Sequence, residues 1–350
     1  MKWHFGALIF IFLLLPAGVC RASACRVLLV ENKSSSDSIR IADYYALKRH
    51  IPLTNICKIT CTTLEECSTV DAEFSIFTPI RSYIEQHHLN VDYIVLTKGI
   101  PIEFDTGAWK SCSIDSVMVE LNDPLGQASN NPYFAATGRF THEKYGIYLV
   151  TRLTGWTIDD CFRLIDSGLA SKPGKGPIYL HPASDKDTGG YQGANQAIRI
   201  AWANLSTSGI NVDLDDTPNF HRTDQPMAGY YTWGSNDPHF DKVIYRSSRF
   251  SPGAIAETVV STSGRTFYDP NAPGQSLIAD LIHDGVAGCK GYVSEPYVVA
   301  MAVPDILFDR YTRGWNLADS FYASSRLVCW KDLVIGDPLC APYAGVYAAH

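Results

Sequence analysis

Polar side chains that could catalyse a reaction or bind a ligand follow several apolar segments in the second half of this 350-residue sequence. The segment "GYYTWGSNDPHFD" (229–241) begins like a buried strand and breaks at Gly234 into a run of polar residues. Such a run either caps a helix or forms the edge of a site. Ser261 could act as a nucleophile if an imidazole lay within hydrogen-bond distance, and His239 is the nearest candidate base along the sequence.

Four predicted strands of the second half end in polar residues. Parallel strands place their carboxyl ends at one edge of a sheet, where ligands bind outside the strand ends. We therefore predict one cleft at that edge, with Ser261 and His239 as catalytic candidates. The predicted pocket contains five further side chains: Arg152, Trp233, Ser235, Asp237 and Glu295. Each also has a structural alternative, since Ser and Asp cap backbone groups and Arg152 could pair with Asp159 or Asp160.

Motifs for cofactor or metal binding are absent from the sequence. It contains no G-x-G-x-x-G, H-E-x-x-H or G-x-S-x-G pattern. We predict no cofactor and no metal site, with one alternative left open. A metal-dependent hydrolase would need His239 to converge with at least two carboxylates.

The first 24 residues have the pattern of a secretory leader. Lys2 precedes an apolar stretch at 5–19, which is too short to span a membrane comfortably, and "ASA" at 22–24 fits a cleavage site. We predict a signal peptide at 1–24 and an exported protein, periplasmic or extracellular. Cys25 leaves a lipoprotein as an alternative, although Arg21 stands where a lipobox has an apolar residue.

Export permits disulfides, and two groups of cysteines lie close in sequence. We expect one bridge within Cys57, Cys61 and Cys67 and another between Cys329 and Cys340. Spacing does not favour a metal site at the first group, because no matching His or C-x-x-C partner is present.

The composition is that of a folded protein with no affinity for nucleic acid. Hydrophobic residues make up 46% and charged residues 19%, and the formal net charge is −7. The sequence has no Lys/Arg run, which argues against nucleic-acid binding. No later stretch is long and apolar enough to span a membrane after the leader is removed.

The elements that must position these side chains alternate between strand and helix. "VDYIVLT" (91–97) is typical of a central strand, and "SSDSIRIADYYALKR" (35–49) of a capped helix. The alternation predicts an α/β fold of two doubly wound, mainly parallel sheets with flanking helices. Residues 122–144 are rich in Asn, Gly and Pro. We place a boundary there, between subdomains at 25–140 and 141–350.

Several segments together resemble an uncharacterised family of exported bacterial proteins. The resemblance covers nearly the whole chain after the leader and implies no established activity. It is carried by these segments: "ENKSSSDSIRIADYYALKRHIP", "DYIVLTKGIP", "YLVTRL", "YTWGSND", "KGYVSEPY" and "VIGDPLCAPY".

The second half is more distantly similar to gingipain-type cysteine peptidases, which have a caspase-like fold. The similarity lies in the order strand, G-x-G-like turn, strand, S-T-S-G, helix, strand, helix and "GDP". It implies a catalytic His after one strand and a nucleophilic Cys after the next. Here Trp233 and Ser261 stand at those positions. The resemblance therefore implies the fold while it argues against thiol peptidase activity, which needs a thiolate and a base.

Two functions follow from the sequence. The first is a hydrolase-like or peptidase-like protein of unknown substrate whose Cys/His dyad is replaced. The second is a non-catalytic module that binds a peptide or glycan ligand outside the cell, such as one on a cell surface. A base within reach of Ser261 favours the enzyme, whereas an isolated Ser261 beside a broad aromatic groove favours the binding module.

Overall fold

The computed structural model describes residues 23–105, 111–122, 127–221 and 223–345. All of the predicted leader except 23–24 lies outside the described residues.

The strands are numbered in chain order within these ranges. They are β1 (Val27–Asn32), β2 (Ile56–Ile59), β3 (Glu66–Ser68), β4 (Tyr93–Thr97), β5 (Glu103–Asp105), β6 (Ser111–Ser113), β7 (Ser129–Asn130), β8 (Leu149–Leu153), β9 (Ile178–His181), β10 (Val212–Leu214), β11 (Met227–Thr232), β12 (Phe250–Thr258), β13 (Gly288–Tyr292), β14 (Leu327–Val328) and β15 (Asp332–Gly336).

The α-helices are numbered in the same way. They are α1 (Ser36–Arg49), α2 (Thr69–Asp71), α3 (Thr78–Gln86), α4 (Ile114–Met118), α5 (His142–Tyr145), α6 (Ile158–Leu169), α7 (Gln192–Thr207), α8 (Lys242–Tyr245), α9 (Ile278–His283), α10 (Pro304–Thr312) and α11 (Leu317–Ser324). A π-helical segment, Ala72–Phe77, joins α2 to α3. None of the described helices has the length and apolar character needed to cross a membrane.

Ten strands form one sheet in the order β10-β9-β11-β12-β13-β15-β8-β4-β1-β2. The predicted mainly parallel α/β architecture is confirmed. The two expected sheets are joined into one, because β15 pairs with β13 on one side and with β8 on the other. That pairing is between residues far apart in sequence, so local patterns could not predict it. The predicted boundary at 140 falls between β7 and β8 and stays a prediction.

The direction of the strands changes at β15. This strand is antiparallel to β13 and parallel to β8. The strands β9 to β13 therefore run in one direction and β1, β2, β4 and β8 in the other. The carboxyl ends of the two groups consequently lie at opposite edges of the sheet.

Helices cover both faces of the sheet. The helices α1, α6 and α9 lie in one layer, and α7, α10 and α11 lie in the other. The capping predicted from sequence is present: Ser35 accepts a hydrogen bond from the Ser38 N–H at the start of α1. Thr157 and Asp160 form a reciprocal capping box at the start of α6.

The five clustered cysteines are not in disulfides, so neither expected bridge is present. Cys340 Sγ lies 3.3 Å from the Tyr311 hydroxyl, with which it hydrogen-bonds. Burial raises the pKa of Cys57, Cys61 and Cys67 to about 12 in each case. A thiol with so high a pKa is protonated at neutral pH, so these three cysteines are poor nucleophiles.

Candidate functional site

A cavity of about 490 Å³ lies at the carboxyl ends of four adjacent parallel strands. The segments that follow β9, β11, β12 and β13 each contribute to its wall. In that order they supply Lys186 and Tyr191; Trp233 and Asn236; Val259, Ser261 and Gln275; and Glu295, Tyr297, Val298 and Met301. The cavity therefore brings together three of the residues predicted from sequence: Trp233, Ser261 and Glu295.

The turn after β11 is fixed by close packing. Trp233 is 1% exposed and donates its indole N–H to Asn195 Oδ1 at 2.8 Å. Gly234 has a φ of +49°, and a Cβ there would lie 2.8 Å from the Val260 side chain. Ser235 and Ser276 exchange backbone-to-hydroxyl hydrogen bonds of 3.1 and 2.8 Å. Ser235 thus holds the turn and does not line the cavity.

Ser261 lies in the cavity wall without a base. Its side chain is half-buried, and its hydroxyl makes no hydrogen bond within the described ranges. Histidine does not occur among the described residues that line the cavity. His239 is exposed, and no hydrogen bond joins it to Ser261. The predicted Ser261–His239 pair is therefore not assembled in this structure.

Asp237 stabilises the turn after β11 through hydrogen bonds. It is 4% exposed, and its carboxylate accepts hydrogen bonds from the His239 N–H at 2.7 Å and from His181 Nε2 at 2.9 Å. Burial works to raise the pKa of Asp237, but the hydrogen bonds from His181 and from the His239 N–H, together with the charges of both histidines, lower it overall. Burial works to lower the pKa of His181, but Asp237 and Asp215 together raise it overall through their hydrogen bonds and negative charges. This buried pair ties the end of β9 to the turn after β11.

The sequence patterns did not single out His181 or several of the cavity residues. His181 ends the apolar segment "PIYLH", which is the same signal that identified the other strand ends. Lys186, Tyr191 and Gln275 lie in long connections, where no local pattern indicates which residues face a cavity.

The structure places Arg152 in the interior, away from the cavity. It lies on β8, which runs opposite to β11, β12 and β13, so its strand end does not share their edge. Ile335 pairs with both Arg152 and Cys289, which places Arg152 level with the start of β13. Arg152 is fully buried, binds Asp115 at 2.7 Å, and donates to the carbonyls of Ile100 and Pro101. It is a structural ion pair in the interior and does not line the cavity.

Glu295 and Tyr297 form the outer wall of the cavity. Glu295 is exposed, and its carboxylate accepts the Tyr297 N–H at 2.8 Å. Tyr297 has φ 57° and ψ 162°, a region that residues other than Gly rarely occupy. Its side chain is 67% exposed. A strained backbone that presents an exposed ring to a cavity is typical of a ligand-binding site.

A buried polar network anchors the segment that carries Val298 and Met301. Glu257 Oε1 accepts the Ala302 N–H at 2.9 Å and the Tyr292 hydroxyl at 2.5 Å. Lys290 Nζ donates to the Ala300 carbonyl at 2.9 Å. Burial raises the pKa of Glu257 to about 7. The cavity wall therefore depends on a carboxyl group that titrates near neutral pH.

The metal-hydrolase alternative gains no support from the donor geometry. Within the part of the chain that the structure describes, no three His, Cys, Asp or Glu side chains converge in a way that could hold a metal ion.

Comparison with known proteins gives matches among solved structures alone. No protein-family model matches the chain, and no curated protein matches it. The structure of the Arg-specific cysteine proteinase gingipain R has a TM-score of 0.53 and 11% identity, covering 92% of this chain and 79% of that chain. The complex of Porphyromonas gingivalis RgpB pro- and mature domains has a TM-score of 0.55 and 12% identity, covering 90% and 79%.

A third structure, described as a protease, has a TM-score of 0.52 and 11% identity, covering 94% of this chain and 80% of that chain. Each of the three likenesses covers at least 90% of this chain. The chain therefore has the α/β fold of the gingipain-type, caspase-like peptidases, as the sequence resemblance implied.

Proposed function

We propose that this protein is an exported, non-catalytic binding module built on a peptidase-like fold, in which the Cys/His dyad is replaced by Ser261 and Trp233. The observation that carries the proposal is the cavity itself. It lies at the strand ends where the resemblance implies a dyad, three aromatic rings line it, and Ser261 has no base beside it.

The chemistry of both positions supports this function. An indole can donate a hydrogen bond but cannot accept a proton, so Trp233 cannot act as a general base. A serine hydroxyl is a weak nucleophile unless an adjacent base removes its proton. The thiol of Cys289, on β13, is fully buried, and burial raises its pKa well above the usual value. No described group near the cavity thus supplies an activated nucleophile.

The test is a search for covalent chemistry at Ser261. We expect no hydrolysis of a mixed peptide library and no labelling by a serine-directed fluorophosphonate or by a peptidyl thiol electrophile. The Ser261→Ala variant should be as inert as the parent chain, and Ser251→Ala, outside the cavity, serves as the matched control. Hydrolysis that is lost in Ser261→Ala and kept in Ser251→Ala would show that the protein is an enzyme.

A further inference from the structure

Three aromatic rings give the cavity its apolar surfaces. Trp233 forms the buried floor, and Tyr191 meets it edge-on with a centroid distance of 5.6 Å. Tyr191 is 49% exposed and Tyr297 is 67% exposed, so both keep ring surface free for a ligand. Flat apolar faces of this kind match the C–H faces of a sugar ring, which are apolar although the rim of the ring carries hydroxyls.

Polar side chains with unused hydrogen-bonding capacity lie between the rings. Gln275 Nε2 donates one hydrogen bond, to Asn236 Oδ1 at 2.9 Å, and Asn236 Nδ2 donates one, to the Val259 carbonyl at 2.8 Å. Each amide nitrogen carries a second N–H that these bonds do not use. The Ser261 hydroxyl and the second carboxylate oxygen of Glu295 add a donor and acceptors. Together they could bind several hydroxyl groups at once.

The charges on the cavity wall do not favour a strongly charged ligand. Lys186 pairs with Asp185, and its ammonium lies 5.6 Å from the Tyr191 ring and 5.7 Å from the Trp233 ring. Glu295 is the acidic residue of the wall, and it is at the exposed rim. One neutralised cation and one exposed carboxylate leave an almost neutral interior.

Both main-chain groups of Val259 are already hydrogen-bonded, and the neighbouring strands have no open edge, which together disfavour a peptide ligand. The Val259 N–H donates to the Thr232 carbonyl at 2.8 Å, and the Val259 carbonyl accepts from Asn236. The strands β9, β11, β12 and β13 each pair on both sides. No strand edge is therefore open here for an extended peptide to add to the sheet, which is a common way for a fold to bind peptide main chain.

We infer that the ligand of this cavity is a short, uncharged oligosaccharide, stacked on Tyr191 and Tyr297 and hydrogen-bonded by Asn236, Gln275 and Glu295. The inference rests on the proposed binding function and specifies its ligand class. The cavity volume of about 490 Å³ lies within the usual range for small-ligand sites.

The experiment measures binding of defined probes to the chain by isothermal titration calorimetry. The probes are neutral tetrasaccharides of glucose, of mannose and of N-acetylglucosamine, and uncharged tetrapeptides with blocked ends. We expect at least one tetrasaccharide to bind. Tyr297→Ala should weaken it by about tenfold, the loss of one aromatic contact, while Tyr297→Phe keeps the ring and most of the affinity. Tyr268→Ala removes an exposed tyrosine outside the cavity and is the matched control.

The possible outcomes test the ligand class and the proposed binding function independently of each other. Tetrasaccharide binding that depends on Tyr297 and leaves the sugar intact supports both. Peptide binding without sugar binding overturns the oligosaccharide and keeps the binding module. Release of new reducing ends would show that the sugar is hydrolysed. That result supports an oligosaccharide as the ligand class and overturns the non-catalytic function. Sugar affinity that Tyr297→Ala and Tyr268→Ala change equally overturns the cavity as the site, and so does the absence of any sugar binding.

Discussion

Glu257 is the residue whose chemistry most directly affects the cavity, although it does not line it. It is fully buried, and it faces Lys290, Asp332, Tyr231, Tyr292 and Cys289. Its hydrogen bond to the Ala302 N–H holds the segment that carries Met301 into the wall. The second carboxylate oxygen of Glu257 has no hydrogen-bond partner among the described residues. A buried oxygen left in that state favours the neutral carboxyl group.

Glu257→Gln should therefore change how the free energy of unfolding depends on pH. The pKa of Glu257 is about 7 in the folded protein and near 4.3 in an unfolded chain. The folded state binds more protons between these values, so its stability falls as pH rises from about 4.5 to 7. The Glu257→Gln variant has no carboxyl group to ionise at this position, so it lacks this loss of stability. Its stability relative to the parent should increase with pH across that range, by about 1.4 kcal/mol per unit at most.

Urea unfolding of both proteins between pH 5 and 8 measures this difference. Glu85→Gln, at an exposed position, controls for the removal of one negative charge. Parallel pH profiles for Glu257→Gln and the parent chain would contradict the role assigned to Glu257.

Local sequence patterns predict most elements because they depend on residues close in the chain. The helix predicted at 35–49 is α1 (Ser36–Arg49), and the strand predicted at 91–97 contains β4. Strand β12 begins at Phe250 and ends at Thr258. Pro252 and Gly253 lie near its start, and because both are typical of turns, the sequence pattern does not indicate a strand there. The antiparallel direction of β15 depends on its two distant partners and has no local signal.

The candidate site was predictable to the extent that strand ends were predictable. Trp233, Ser261 and Glu295 each follow a strand closely, and the structure places them around one cavity. Arg152 met the same rule and failed, because the rule assumes that all the strands run in one direction. Tyr191 lies ten residues after β9, and its distance from the strand hides its contact with Trp233.

Strand β8, which follows the predicted boundary, pairs with β4, which precedes it. This pairing limits where the chain can be divided into separate fragments. The pairing runs along the whole length of β8, and the five residues of β8 are buried. A chain cut at 140 separates these two strands. Leu149, Val150 and Leu153 would then lose contacts that each contribute about 1.5–3 kcal/mol. We expect separately expressed 25–140 and 141–345 to aggregate or stay unfolded, as measured by circular dichroism and size-exclusion chromatography.

A cut at 155 is the matched comparison. The fragment 25–155 keeps β8 beside β4, so it should be more soluble and better folded than 25–140. A cooperative, monomeric fragment 25–140 would instead support a true boundary at 140.

At the scale of the whole molecule, the location of the protein is the prediction that the fold does not address. The apolar stretch at 5–19 and the "ASA" at 22–24 predict cleavage after Ala24. We expect the chain recovered from a periplasmic or culture fraction to begin at Cys25. Intact mass spectrometry of that fraction checks it, and a mass that retains residues 1–24 would contradict export by cleavage.

The indole of Trp233 at the cavity floor has a kinetic consequence. An enzyme must release its product in every cycle, so very tight binding slows it. In the proposed binding module the cleft completes no catalytic cycle, so no requirement for turnover limits how slowly its ligand departs. Differences in affinity between related complexes arise mostly in the dissociation rate. The bound lifetime, rather than any rate of conversion, is therefore the quantity on which selection would act in such a protein.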